Sequence, residues 1–443
     1  MRRRVLAAIT LAAMFAAAEP AGARVPNRTP RRRLEGSVSS SLAQPPARGA
    51  LPGILIERGP APLIAINADR PMVPASLTKL ATTTAALARF GPQHRFRTRV
   101  VARAVHRGGT IRGDATLVGG GDPAFVSDAY GRRRFLPQPG DPVPVPAFAT
   151  GYATVEELAD AVRNAGVRRI EGDLAVDESL FDDVRTLPGW LPEYQKSGSV
   201  EVGTLSALAV DEGFADAEQK IAAADPAARA GSLLLRELLA RGVVVAGGVR
   251  HARAPTGAVE IAGVESPPLS EIVGYTNRYS VNFPAELMVK ALGARFGGAG
   301  TTEAGLRVLR DTLKAGRIPV EGLALSDGSG LSLLNRVAPR TIAALLRRML
   351  ADTSPAGEAL RASVPVAGSP GTLLRRLRHP PAGGNLRGKT GLVRRVRAMA
   401  GWVRGQDGAT IVYVLLFNDA AGARTLNGPI DLIGLALSRF PYG

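Results

Sequence analysis

The sequence predicts an α/β (α+β) protein in which a main sheet with helices on both faces is interrupted by a long, mostly β insertion. Three observations predict it. Apolar or small residues recur at helical spacing on both sides of the chain's middle, as in Leu77, Leu80, Thr84 and Leu87 and again in Leu306, Leu309 and Leu313. The last part of the chain holds two β-like runs, Arg397–Val403 and Thr410–Phe417, joined by the turn Gly405-Gln406-Asp407-Gly408, the pattern of an antiparallel hairpin. From Phe96 onward the texture differs, with short β-like runs separated by glycine turns.

Taken in order, residues 1–23 carry Arg2-Arg3-Arg4, the apolar run Val5–Ala18 and the small residues Ala21-Gly22-Ala23, the layout of a cleavable secretory signal. The apolar run is short for a membrane span. Residues 24–50, with Arg31-Arg32-Arg33, a serine cluster and Pro45-Pro46, read as a flexible linker with little to bury. Ile54-Leu55-Ile56 and Leu63-Ile64-Ala65-Ile66 flank Arg58-Gly59-Pro60 and read as a hairpin. A helix starts near Pro74, which suits a first turn, and stops at Gly91. Residues 97–267 read as the insertion. Within it Thr116-Leu117-Val118, Gly172–Asp177 and Gly242–Val249 are strand-like, Val155–Ala165 and Ala227–Arg241 are helical, and Pro137–Pro146 is a loop. Helical patterns dominate again at Phe283–Leu292, Thr302–Leu313 and Pro339–Leu350, and a last amphipathic helix spans Pro429–Phe440. The main domain thus comprises 51–96 and 268–443.

Composition narrows the function. Hydrophobic residues make up 45% of the 443 and charged residues 21%, a globular balance. There is no cysteine, so thiol chemistry and cysteine–zinc sites are excluded. The net charge is +18, carried by 56 basic residues of which only Lys79, Lys196, Lys220, Lys290, Lys314 and Lys389 are lysine. An export signal argues against nucleic acid as the partner of this charge. Compositional bias toward arginine explains most of it, and an anionic wall polymer or membrane surface outside the cytoplasm is the partner it would fit.

The chemistry starts at Pro74-Ala75-Ser76-Leu77-Thr78-Lys79. Residues three apart on a helix share a face, so Ser76 and Lys79 can approach. A serine hydroxyl needs a base to take its proton, and a lysine amine becomes that base once burial or a positive field lowers its pKa. Two further polar clusters follow, Tyr279-Ser280-Val281-Asn282 before a helix and Gly388-Lys389-Thr390-Gly391 at the entrance of the last hairpin. Singly, these are a cap and a turn. The third is not a phosphate loop, because the upstream glycine spacing and the following helix are missing.

The order Ser-x-x-Lys, Ser-x-Asn, Lys-Thr-Gly is that of penicillin-binding proteins and serine β-lactamases. With so long an insertion between the first two motifs, the chain resembles the D-alanyl-D-alanine carboxypeptidase/endopeptidase family, the low-molecular-mass class C penicillin-binding proteins. Leu117–Pro123, Gly172–Phe181, Ser206–Glu212 and Asp327–Ser332 with Asn335-Arg336 look like further signatures of that family. The resemblance covers about residues 50–443. It implies a penicillin-binding/serine β-lactamase-like transpeptidase domain and hydrolysis of the terminal D-Ala-D-Ala bond of peptidoglycan stem peptides, with endopeptidase action on cross-links and covalent trapping by β-lactams. Ser76 would be the nucleophile and Lys79 its base. Ser280 would relay a proton to the leaving amine, and Asn282 would hold the substrate amide. Lys389 and Thr390, with Gly391 and Leu392 behind them, would bind the terminal carboxylate, and the backbone amides of Ser76 and Leu392 would form the oxyanion hole. The chain departs from the family at Val281, usually polar, and at Leu392, usually threonine. Alternatives of the same fold are a β-lactamase-like hydrolase and a non-catalytic wall-binding protein. No metal or cofactor is implied, since His94, His106, His251 and His379 are dispersed. Asp122, Asp173, Asp177 and Asp327 read as turn formers, and Trp190 and Trp402 as core.

Overall fold

Side chains alternate across a strand, and in Leu51–Arg58 (β1) that alternation divides two cores: Ile54 and Ile56 enter one, Leu55 the other. The computed structural model in which this is seen describes residues 28–59, 61–141, 143–196 and 200–441, so the expected signal at 1–23 lies outside the described residues. β1 turns back into Ala61–Ile66 (β2) as the hairpin expected there. The insertion then supplies Arg97–Ala102 (β3), Thr110–Ile111 (β4), Ala115–Val118 (β5), Arg169–Ile170 (β6), Leu174–Asp177 (β7), Val244–Val245 (β8), Val249–His251 (β9) and Val259–Glu265 (β10). Arg387–Val393 (β11), Val396–Arg404 (β12) and Thr410–Asn418 (β13) end the chain's strands. The main sheet runs β11-β12-β13-β1-β2 with every pairing antiparallel, and its central seam joins β1 to β13, Leu51 opposite Asn418 through Arg58 opposite Ile411.

One face of this sheet is covered by Thr78–Phe90, Leu269–Arg278, Phe283–Phe296 and Pro339–Ala351, which share a core with Leu55, Ala398, Ala400 and Val414. The other face is covered by the C-terminal helix Asn427–Ser438 and by a helix over Arg28–Ala43. That second helix corrects the expected linker at 24–50. Leu34 and Val38, four apart on one face, are fully buried against the core of Ile430, Ile433 and Leu437. Two apolar residues among arginines and serines are too thin a stripe to be read as a helix from sequence.

In the insertion the helices expected near 155–165 and 227–241 form at Val155–Asn164 and Pro226–Ala240, and a third, Asp128–Phe135, not expected from the sequence, makes the unit more mixed than the mostly β expectation. Its larger sheet runs β10-β3-β5-β7-β9, and β5, β7 and β9 pair in parallel. Parallel neighbours need crossover connections, and Val155–Asn164 and Pro226–Ala240 lie within those two connections. Asp225 caps the second by accepting from the Ala228 N–H at 2.9 Å. The strand-like run at 242–249 splits into β8 and the start of β9 around Gly247-Gly248. The insertion is not a detached unit. Phe135, Phe181, Leu205 and Phe214 share the core that holds Leu269, Tyr275 and Leu287.

Candidate active site

The helix expected around the first motif forms in two parts, a 3₁₀ turn at Ala75–Leu77 and an α-helix at Thr78–Phe90, closed by Gly91 at φ +84°. Ser76 sits in the turn and Lys79 one turn later. Ala75, just before the serine, has φ +50°, a conformation unfavourable for alanine. Its neighbours hold it there. Gly330, at φ +90°, approaches so closely that an added Cβ would lie 1.9 Å from the Ala75 carbonyl oxygen, and one on Gly391 would lie 3.1 Å from the Pro74 oxygen. The third motif and the Asp327–Ser332 loop therefore clamp the residue that presents Ser76.

Lys79 is fully buried. Its Nζ lies 3.0 Å from Ser76 Oγ, 2.6 Å from Asn282 Oδ1 and 2.7 Å from the Ser329 carbonyl oxygen. Burial pushes its pKa down to about 8, against the opposing pull of Asp327, Glu286 and Glu201. Asn282 spends its amide group on the Glu201 carbonyl, 2.8 Å away. Ser280 stands at φ +61° in the bend before Phe283–Phe296, and Lys389 Nζ donates to its Oγ at 2.7 Å and to the Thr390 carbonyl at 2.8 Å. Lys389 is also fully buried, and burial, reinforced by Lys79 and Arg397, holds its pKa well below the usual lysine range. An arriving carboxylate would supply the counter-charge that this ammonium lacks.

The structure thus brings Ser76, Lys79, Ser280, Asn282, Lys389 and Thr390 together from three separate stretches, with Gly391 packed beside Ala75. Ser76, Ser280, Asn282, Thr390 and Leu392 open onto a cleft of about 750 Å³. The Val281 side chain is half-buried and packs on the main core, so its apolar character has a packing reason.

Four features of this centre carry no signal in the three motifs. Glu286, fully buried one turn into its helix, accepts from the backbone N–H groups of Gly328 and Ser329 at 3.0 and 2.7 Å. Burial first, and Asp327 second, raise its pKa. Asp327, read from sequence as a turn former, also accepts from Asn335 Nδ2 at 2.6 Å and from Trp190 Nε1 at 2.9 Å. These two carboxyls fix the loop whose Ser329 carbonyl meets Lys79. Glu201 and Tyr194 come from the insertion and line the cleft. Last, Thr372 lines it with a buried hydroxyl that has no partner among the described residues.

Residues 34–219 and 207–436 match the family described as D-Ala-D-Ala carboxypeptidase 3 (S13). The chain belongs to this family. As an S13 member it is a serine hydrolase of the D-alanyl-D-alanine carboxypeptidase type. It is 28% identical, over 97% of its length and 88% of the relative's, to the D-alanyl-D-alanine carboxypeptidase of Actinomadura sp. (strain R39). It is 30% identical to a carboxypeptidase of Mycobacterium tuberculosis, over 80% of its own length and 72% of that protein's. The crystal structure of penicillin-binding protein 4 from Haemophilus influenzae shares the fold, with a TM-score of 0.76 at 20% identity over 91% of this chain and 99% of that one.

Proposed function

We propose that this S13 hydrolase cleaves the terminal D-Ala-D-Ala bond of peptidoglycan stem peptides, and the equivalent D-Ala bond of cross-links, through an acyl-enzyme on Ser76. The observation that carries the reading is the fully buried Lys79 amine 3.0 Å from Ser76 Oγ. Lys79 takes the hydroxyl proton as Oγ bonds to the carbonyl carbon. The developing oxyanion faces the backbone N–H groups of Ser76 and Leu392. The carbon–nitrogen bond then breaks, and Ser280, backed by Lys389, passes a proton to the departing amine. Lys389 and Thr390 hold the substrate's terminal carboxylate, the ammonium giving a charge-assisted bond. Leu392 offers no side-chain hydroxyl to that clamp, but its backbone donor is independent of the side chain. Water releases the acyl group. A β-lactam enters by the same attack and stays on Ser76 because its amine cannot leave. Export to the cell envelope follows from the signal-like residues 1–23, and among the described residues no helix is long and apolar enough to cross a membrane. A surface rich in arginine suits peripheral contact with anionic wall polymer or membrane.

The test is direct. A peptide ending in D-Ala-D-Ala should release free D-alanine, penicillin should block the release, and peptide mapping should place one penicilloyl adduct on Ser76. An adduct elsewhere, with D-alanine release unblocked, refutes the assignment. A pH profile follows from the same geometry. The base is the neutral amine, so the rate of penicillin acylation should rise with pH and level off above about 8. Below that value the protonated fraction grows, and the rate should fall about tenfold per pH unit. A flat profile between pH 5 and 8 would exclude Lys79 as the base.

A further inference from the structure

The direction of β11 orients any peptide in the Ser76 cleft. Lys389 and Thr390 hold the terminal carboxylate, and Leu392 meets the attacked carbonyl. In the substrate, the carboxylate comes after that carbonyl. The residues before the carbonyl therefore run past Val393 toward Arg394. β11 ends at Val393, and Arg394 and Arg395 form the turn that follows, so Arg394 stands at the end of the strand, two residues past Leu392, where the second upstream residue of an extended peptide would arrive.

The cleft wall there is basic. Arg394, Arg395, Arg397 and Arg424 all line it. Arg394 and Arg424 are exposed and form no ion pair with a carboxylate among the described residues. The Arg395 guanidinium donates to the carbonyl of Asp419, at 3.0 Å, and forms no ion pair among the described residues. Arg397 is nine-tenths buried, donates to Asn427 Oδ1, and leaves its Nε without a partner. Asp431, the acid whose charge acts on it, is engaged with Arg376 at 2.6 Å. Burial pulls Arg397 down to about 10. The hydroxyl of Tyr194, also nine-tenths buried, lines the same cleft without a partner. Glu193 and Glu201 mark the insertion's side of the cleft as acidic. A buried cation without an anion is costly unless a partner arrives.

We propose that Arg394 and Arg424, backed by the buried Arg397, form a subsite for a carboxylate carried two residues upstream of the one whose carbonyl is attacked. This rests on the assignment of Ser76 as nucleophile. The ligand is an acidic peptide, and the acidic insertion side repels its carboxylate toward the arginines, which fixes the peptide's register.

Two peptides ending in D-Ala-D-Ala test it, differing only in whether the acidic residue two positions upstream of the penultimate D-alanine has a free or an amidated carboxylate. The wild-type protein at low salt should prefer the free acid by about tenfold in kcat/KM, the worth of one charge-assisted bond. In Arg394→Ala/Arg424→Ala the ratio should fall to about one, and in Arg394→Glu/Arg424→Glu it should invert. A wild-type ratio of one, with D-alanine released and Ser76 acylated by penicillin, overturns the subsite and leaves the nucleophile standing. So does a preference that both double variants retain. Equal inhibition of both peptides by dextran sulfate, with a ratio of one, would mean that the arginines meet an anionic polymer instead. Absence of D-alanine release and of any Ser76 adduct would overturn the nucleophile, and the subsite with it.

Discussion

Replacing Ser76 with alanine should abolish the penicilloyl adduct and lower D-alanine release by about 10⁴-fold or more, the scale on which removal of a serine nucleophile acts. The second motif's serine is not placed to take over. Ser280 Oγ is held by Lys389 at 2.7 Å, and Lys79 reaches Ser76 but not Ser280 among its hydrogen-bond partners. Folding should survive, because the substitution removes one oxygen at a partly exposed position. Intact-protein mass spectrometry after penicillin treatment gives the answer. A remaining adduct in Ser76→Ala would move the nucleophile elsewhere.

Lys79→Arg should be nearly as damaging. Arginine keeps the positive charge and the donors, so a purely electrostatic role for Lys79 would leave much of the activity in place. A guanidinium is never deprotonated in a protein and cannot take the Ser76 proton. We expect the acylation rate to fall about 10³-fold, within the range that a positioned general base supplies. Because the site is fully buried, the larger side chain could disturb packing, so Lys79→Ala serves as the second variant. It removes bulk but leaves Asn282 Oδ1 and the Ser329 carbonyl without the amine that they share. Stopped-flow acylation with a fluorescent penicillin reads both variants, and thermal unfolding reports whether each is folded. Acylation by folded Lys79→Arg within tenfold of the wild-type rate at pH 7 would rule out proton abstraction by this residue.

The three motifs were legible in the sequence for a chemical reason. Proton transfer and carboxylate binding need particular side chains, and the first pair is local enough to leave its spacing in the chain. The helices at Thr302–Ala315 and Pro339–Ala351 were legible because each buries a periodic face, and the hairpin of β12 and β13 because its strands are near-continuous runs, buried on both faces, around a glycine turn. What was not legible depends on contacts between distant residues. Glu286 is the one acid in a mostly apolar helix that also carries Lys290 and Arg295, and its purpose appears only when Gly328 and Ser329 fold against it. The left-handed backbone at Ala75 and Ser280 has no residue signature, since neither is glycine. Tyr194 and Glu201 reach the cleft from a segment that carries none of the motifs, so sequence placed them in an insertion and not at the site. The helix at Arg28–Ala43 was hidden because its two anchors find their apolar partners in the C-terminal helix, on the far end of the chain.

The seam between β1 and β13 ties residues 51–58 to residues 410–418. A ribosome delivers these two strands near opposite ends of its work. At about 5–20 residues per second, the earlier strand waits roughly tens of seconds for the later one. Through that interval one edge of β1 stays open, a liability for any nascent chain. Ala75 meanwhile lacks both of the glycines that clamp it, because Gly330 and Gly391 are still unmade or unplaced. Ser76 and Lys79 are synthesised early, but the contacts that hold the turn around Ser76 come late. The arrangement at Ser76 is therefore expected to form only when the last strand of the sheet has been delivered.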